Sequence, residues 1–252
     1  MESAPHIRLP FQEVHVWAVT SDLAPQQVAE LQSVLSGAER QRVHGIKIAP
    51  VRTLRLVARA ALRLILSRYL GVSADAVAFA LEPQGKPYLC GPTADSLITF
   101  NIAHSGSLAL VAVGRSRRIG VDIELARSRF DHAAMTKRVC SLQERQWIDA
   151  LPERAQRAAF FTCWTCKEAY GKAIGKGLRF PLSGVSVSCR SSRGSPILTL
   201  VDDPAAEAHR WRVHAWSPAR NYFAALVGER QDWQVRCFEW NWDTYFSEQS
   251  QR

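Results

Sequence analysis

The pentapeptide Gly120-Val121-Asp122-Ile123-Glu124 sets two carboxylates two residues apart among β-favouring neighbours. Side chains alternate faces along a strand, so Asp122 and Glu124 project together while Val121 and Ile123 turn the other way into a core. Carboxylates this close repel unless a cation lies between them. Two oxygen ligands with room left for waters and phosphate oxygens suit Mg²⁺. An exposed strand face would look the same, and from five residues alone it is the more economical reading.

A second group lies further on: Trp164, Lys167, Glu168 and Lys172, inside a helical stretch from Glu153 to Ile174. Glu168 and Lys172 are four residues apart, so a carboxylate and an ammonium share one helix face, as an ordinary surface ion pair also would. Trp164, one turn earlier, reads by itself as core. Gly171 costs a helix about 1 kcal/mol against Ala, which points to close approach by another element. Gly175-Lys176-Gly177 is either a helix stop or a flexible basic loop beside a phosphate, and it lacks the spacing of a nucleotide P-loop. Cys163 and Cys166 form a CxxC with no second pair to complete a zinc site, so they are expected to be packing thiols.

The third group is the run Phe100 to Gly106, where a strand delivers His104 and Ser105 to a turn closed by Gly106. No GxSxG elbow is present, so a serine triad is not expected. His104 reads equally as a phosphate ligand or as a satisfied turn histidine. Upstream, Arg52, Arg55, Arg59 and Arg63 recur at spacings of three, four and four and form a basic stripe, solvated for the most part. Arg52 differs from the rest. It falls in the first turn of a helix, where its charge combines with free backbone amides into an anion site, and Thr53 adds a hydroxyl.

The elements that must carry these groups alternate in period. Strand-like runs fall at 15–19, 77–81, 97–102, 108–113, 119–124, 185–189, 197–201, 211–216 and 222–227. Helical spacing falls at 25–35, from Pro50 to Gly71, over 132–150 and from Glu153 to Ile174. Strand, helices and strands therefore occur twice, predicting an α+β duplication into residues 1–116 and 117–252 with the site in the seam between two similar halves. The tail from Phe238 has no evident role.

The chain has 252 residues, a net charge of +9 and 47% hydrophobic residues, enough for one large domain or two modest ones. Eight Trp and ten Phe exclude a disordered chain. No apolar run approaches the ~20 residues of a membrane span and the first residues lack a signal-peptide core, so a cytoplasmic protein with reduced cysteines is expected. The positive charge suits an acidic protein, a polyphosphorylated small molecule or nucleic acid without choosing among them.

Taken in order, GKP (85–87), FNIAHSG (100–106), GVDIE (120–124) and WTCKE (164–168) with Lys172 and GKGL (175–178) resemble the 4'-phosphopantetheinyl transferases. The likeness is to the broad-specificity type that activates peptide and polyketide synthases, such as surfactin synthetase, and it spans about Arg52 to Leu178. It implies two pseudo-twofold-related halves with coenzyme A between them. It also implies Mg²⁺-dependent transfer of phosphopantetheine to a serine of an apo acyl or peptidyl carrier protein, releasing adenosine 3',5'-bisphosphate. Carried over, it makes Asp122, Glu124 and Glu168 the metal ligands, Glu168 the acceptor of the serine proton and Lys172 the partner of the leaving phosphate. Arg52, Thr53 and His104 would grip the 3'-phosphate, Lys86 and Pro87 would lie by the nucleotide, and Ser105 and Lys167 would join the coenzyme A contacts.

Three positions depart from the family pattern: Ala103 stands where relatives usually have a serine, Cys166 replaces a frequent Met, and Gly171 replaces a larger residue. Arg40 and Arg42 sit nearest to the basic residues that relatives place before the first long helix, at a different spacing. A monomer is expected, with neither membrane nor nucleic acid as partner. The alternatives from other classes are a metal-dependent hydrolase of nucleotide pyrophosphates and a nucleic-acid-binding module.

Overall fold

Strand β5 (Leu108–Arg115) is apolar on both faces: Ala109, Val111 and Val113 join one cluster of buried side chains, Leu110 and Ala112 another. A strand of this kind must be covered on both sides, and that requirement explains the architecture. In the computed structural model, which describes residues 6–127, 131–176, 182–188, 197–200 and 210–250, β5 lies inside a four-stranded sheet of order β11 (Gln234–Glu239), β1 (Glu13–Thr20), β5, β4 (Ile98–Ser105). A second sheet has the order β6 (Ile119–Leu125), β10 (Tyr222–Glu229), β9 (Trp211–Trp216). The inner faces of the two sheets share an apolar cluster that includes Val14, Val16, Leu110, Val121, Ile123, Ala224 and Leu226.

Each outer face carries one long helix. Helix α3 (Ala49–Leu70) lies on the first sheet through Val57, Ala61, Ile65 and their neighbours, and it ends at Gly71, whose φ of +66° suits a residue without a Cβ. Helix α6 (Glu153–Ala173) lies on the second sheet through Phe160, Cys163, Cys166, Ala169 and Tyr170. The layers thus run helix, sheet, sheet, helix. Shorter helices precede each long one: α1 (Pro25–Glu30) and α2 (Gly37–His44) in the first half, α4 (His132–Val139) and α5 (Leu142–Asp149) in the second. The hairpins β2 (Ala78–Leu81) with β3 (Pro87–Cys90) and β7 (Val185–Ser188) with β8 (Ile197–Leu200) complete the repeat. Element order is therefore duplicated, as the α+β reading expects. Cys163 and Cys166 are buried among the apolar side chains of the second half.

The structure corrects the sequence in three places. The tail does not stay with the second half: β11 pairs in parallel with β1, and Trp240 and Trp242, the latter opening α7 (Trp242–Ser250), sink into the core of the first half. Without that strand, β1 would present an open sheet edge beside exposed aromatic surface. The division at 116/117 marks the crossover between sheets, but residues 234–250 return across it. Second, the arginine stripe is not solvated throughout. Arg63 is buried, donating to Glu39 at 2.7 Å and to the carbonyls of Ala74 and Val77, and Arg59 also faces Glu39. Third, α2 escapes an apolar-periodicity search because it has no apolar stripe; its signal is the capping box formed by Ser36 and Glu39.

Between the sheets, β6 pairs by backbone with β10 alone among the described residues, and its other edge faces β4. Side chains replace the missing strand there. The Asn101 amide oxygen accepts the N–H of Val121 at 2.8 Å, and Ser105 Oγ accepts the N–H of Leu125 at 3.0 Å. Lys86 Nζ donates to the carbonyl of Ile119 at 3.1 Å, and Thr99 Oγ1 to that of Arg117 at 2.8 Å. Buried backbone groups must find partners, and this ladder satisfies them while holding the two halves in register.

Candidate active site at the seam

Gly120 decides how near α6 comes to β6. A Cβ built there would fall 2.0 Å from the carbonyl oxygen of Ala169 and 2.4 Å from the backbone nitrogen of Ala173, so any larger residue would push the helix off the strand. Asp122 and Glu124 share this face of β6. Close approach therefore brings them to the part of α6 that bears Glu168 and Lys172.

Lys172 Nζ donates to Asp122 Oδ1 at 2.6 Å and to the carbonyl of Val121 at 3.1 Å. Its strongest contact is thus with the strand and not with Glu168 one turn back. Asp122 is 5% exposed, and its Oδ2 is buried with no hydrogen-bond partner. Burial pushes the Asp122 carboxyl above its ordinary range, partly offset by Lys172. Burial also lifts Glu124 to about 7, with the Asp122 and Glu168 charges adding to the effect and the Ser105 hydrogen bond opposing it. Glu168 is raised as well, first by burial and then by Asp122, against Lys172 and a hydrogen bond from Trp164. Asp122 raises both glutamates and Glu168 raises Glu124, so the three carboxylates are electrostatically one cluster. Among the described residues, however, no three His, Cys, Asp or Glu side chains stand close enough to hold an ion as they are.

Beside Lys172, a cavity of about 230 Å³ is lined by Gln84, Gly85, Lys86, Pro87, Asn101, Ile102 and Gly175. The GKP turn, β4 and the end of α6 thereby meet around one space. Lys86 lines it, but its ammonium donates to the carbonyls of Ile119 and Ala173, pinning the β2–β3 hairpin to the second half. Gly177 and Leu178 of the GKGL string lie outside the described residues. A larger cavity, about 430 Å³, opens around Tyr88, Arg117 and Glu229, away from the carboxylates.

His104 on β4 is held down to about 4, chiefly by burial and then by the charge of Arg55, so its imidazole is neutral at physiological pH. Arg55 belonged to the stripe, yet only the packing of α3 on the sheet shows it acting on His104. Arg52 donates to the carbonyl of Ile46 at 3.1 Å, and Thr53 beside it is half-buried. Lys167 requires a correction. It is fully buried, its ammonium 2.5 Å from Glu144 Oε2 and 2.9 Å from the carbonyl of Val139, so it cannot reach a ligand in the seam. One residue of helix turns a side chain by about 100°, and that separates Lys167, facing α5, from Glu168, facing β6. The Ser141 and Glu144 capping box, a legible Ser-x-x-Glu, marks the element that takes the buried lysine.

Residues 118–227 match the model of the 4'-phosphopantetheinyl transferase superfamily, and residues 22–116 match that of the 4'-phosphopantetheinyl transferase N-terminal region. The 4'-phosphopantetheinyl transferase HetI of Nostoc sp. is 32% identical over 236 residues, 94% of this chain and 96% of its own length. The chain belongs to the 4'-phosphopantetheinyl transferase family. Its similarity to the family member gsp of Aneurinibacillus migulanus, 31% identical over 122 residues, covers 48% of each chain. A crystal structure of a holo-(acyl-carrier-protein) synthase from Bacillus anthracis in complex with coenzyme A (3',5'-ADP) is 26% identical, with a TM-score of 0.36, covering 45% of this transferase and 96% of that chain. No described helix of the transferase is long and apolar enough to cross a membrane.

Proposed function

We propose that this transferase moves the 4'-phosphopantetheine arm of coenzyme A onto a serine hydroxyl of an apo acyl or peptidyl carrier protein, releasing adenosine 3',5'-bisphosphate. The observation that carries the reading is the convergence of Asp122, Glu124, Glu168 and Lys172 at the seam, next to a cavity walled by the GKP turn.

The donor set fits Mg²⁺. It comprises three hard oxygen ligands whose mutual repulsion a cation would relieve, one of them with a buried oxygen still unpartnered. Asp122, Glu124 and Glu168 would hold the ion. When bound, Mg²⁺ supplies neutralising charge at the diphosphate as the P–O bond to the nucleotide breaks.

The chain's own side chains do the remainder. Glu168, with a raised pKa, is suited to take the proton of the attacking serine as its oxygen bonds to phosphorus. Lys172, at the wall of the cavity, places a cation against the departing phosphate. Arg52 and Thr53 at the start of α3 supply charge and a hydroxyl to the 3'-phosphate, and His104 a neutral ring N–H. Lys86 and Pro87 form the wall against the nucleotide. Both sides of the seam come from one chain, so a monomer suffices. The net charge of +9 favours encounter with an acidic carrier in the cytoplasm.

The test is a mass-shift assay with coenzyme A, Mg²⁺ and a panel of apo carrier proteins. Each accepted carrier gains the mass of one phosphopantetheine, and Glu168→Gln abolishes the gain while its circular dichroism stays that of the parent. Arg52→Ala and His104→Ala raise KM for coenzyme A more than KM for its 3'-dephospho form. Phosphopantetheine released without any acceptor would instead support a pyrophosphate hydrolase.

A further inference from the structure

The hydroxyl of Ser105 is engaged with the protein itself. Its Oγ donates to Oε2 of Glu124 at 3.0 Å and accepts the backbone N–H of Leu125 at 3.0 Å. Both partners lie on β6 whereas Ser105 ends β4, so a single side chain spans the seam between halves. The turn behind it is locked against the same region. Gly106 has a φ of +60°, and a Cβ there would fall 2.3 Å from the Tyr222 hydroxyl oxygen and 2.8 Å from Leu125 Cδ2. The Tyr222 oxygen in turn accepts the N–H of Ser107 at 3.0 Å. Ser105 can turn toward a ligand only by giving up both of its bonds and leaving the Leu125 amide unpaired at the joint.

We propose that Ser105 is a positioning residue for Glu124: by holding Oε2 it fixes the carboxylate plane, leaves Oε1 for the cation, and so sets the metal requirement of the transferase. This rests on the reading of Glu124 as a metal ligand. A hydroxyl has one proton and two lone pairs, so it can donate to the carboxylate and accept from the amide together. A carboxylate already held in one orientation loses less freedom when it binds an ion. Partners of this kind behind a metal ligand commonly change metal affinity 10–100-fold. The family resemblance, by contrast, puts Ser105 among the coenzyme A contacts, and the two roles separate by experiment.

The experiment titrates Mn²⁺ into the full-length protein by electron paramagnetic resonance, with adenosine 3',5'-bisphosphate present, and measures Mg²⁺ activation and KM for coenzyme A in parallel. Ser105→Ala is expected to weaken Mn²⁺ binding about tenfold and to raise the Mg²⁺ concentration for half-activation in step. KM for coenzyme A at saturating Mg²⁺ stays within twofold. Ser105→Thr, which keeps the hydroxyl, retains Mn²⁺ affinity; Ser105→Val, of the same shape without it, loses affinity as Ala does, and this pair decides the matter if the Ala variant folds poorly. Unchanged Mn²⁺ affinity in the Val variant overturns the proposal, as does a raised KM at saturating Mg²⁺ or a parent protein that binds no Mn²⁺. A parent that binds Mn²⁺ yet modifies no carrier defeats the transfer reading alone, and the resonance comparison still judges Ser105.

Discussion

The Lys172 ammonium and the Asp122 carboxylate, 50 residues apart in the chain, meet at 2.6 Å. The contact joins α6 to β6 directly over the Gly120 notch, and it offsets part of the burial that raises Asp122. A lysine with a second acceptor in the Val121 carbonyl is held at the wall of the seam cavity, where a departing anion would need it.

Carboxylates raised by burial make stability depend on pH in a fixed direction. Asp122, Glu124 and Glu168 all bind protons more tightly folded than unfolded, so their contribution is fully present below the ordinary carboxylate pKa and is lost as pH rises through their folded values. For Glu124 the window runs from the ordinary glutamate value of 4.5 to about 7. In urea unfolding in EDTA, the stability difference between the parent and Glu124→Gln is expected to shift against the parent from pH 5 to pH 7.5, by at most about 3 kcal/mol. His104, held down to about 4, works in the opposite direction in both proteins and cancels in that difference. Added Mg²⁺ raises the alkaline end of the parent profile. A difference that stays constant over this range would falsify the assignment.

Gly120→Ala tests the close approach of helix and strand. The new methyl would meet backbone atoms of Ala169 and Ala173, which cannot rotate aside, so α6 must shift. Overpacking of this kind costs about 1–3 kcal/mol. The transfer rate is expected to fall more than tenfold, because displacement separates Glu168 from Asp122 and Glu124. Thermal melts together with the mass-shift assay read both effects, and an unaltered rate would show that the two elements need not touch.

Trp242→Ala tests the return of the tail. Trp242 is 4% exposed, donates to the Thr20 carbonyl at 3.0 Å and packs against Trp240 and Phe246. Truncating a buried tryptophan costs about 3–5 kcal/mol. Hydrogen exchange is expected to rise in β1 and α3, which are remote in sequence, more than in β6 and α6. Equal loosening of both halves would sink the idea that the tail belongs to the first.

The sequence alone determined what nearest neighbours control. Alternation in GVDIE put Asp122 and Glu124 on one face opposite Val121 and Ile123, helical spacing found α3 and α6, and the repeated order of elements revealed the duplication. Each of these signals arises within a few residues, where backbone geometry fixes side-chain direction. Tertiary structure decided which faces met. Lys167 and Glu168 are equivalent in sequence until α5 packs on one side of the helix and β6 on the other, and Ser105 is a free hydroxyl until β6 lies beside β4. The pairing of β11 with β1 joins opposite ends of the chain. Such contacts depend on what is buried when distant segments close together, a quantity that no local pattern contains.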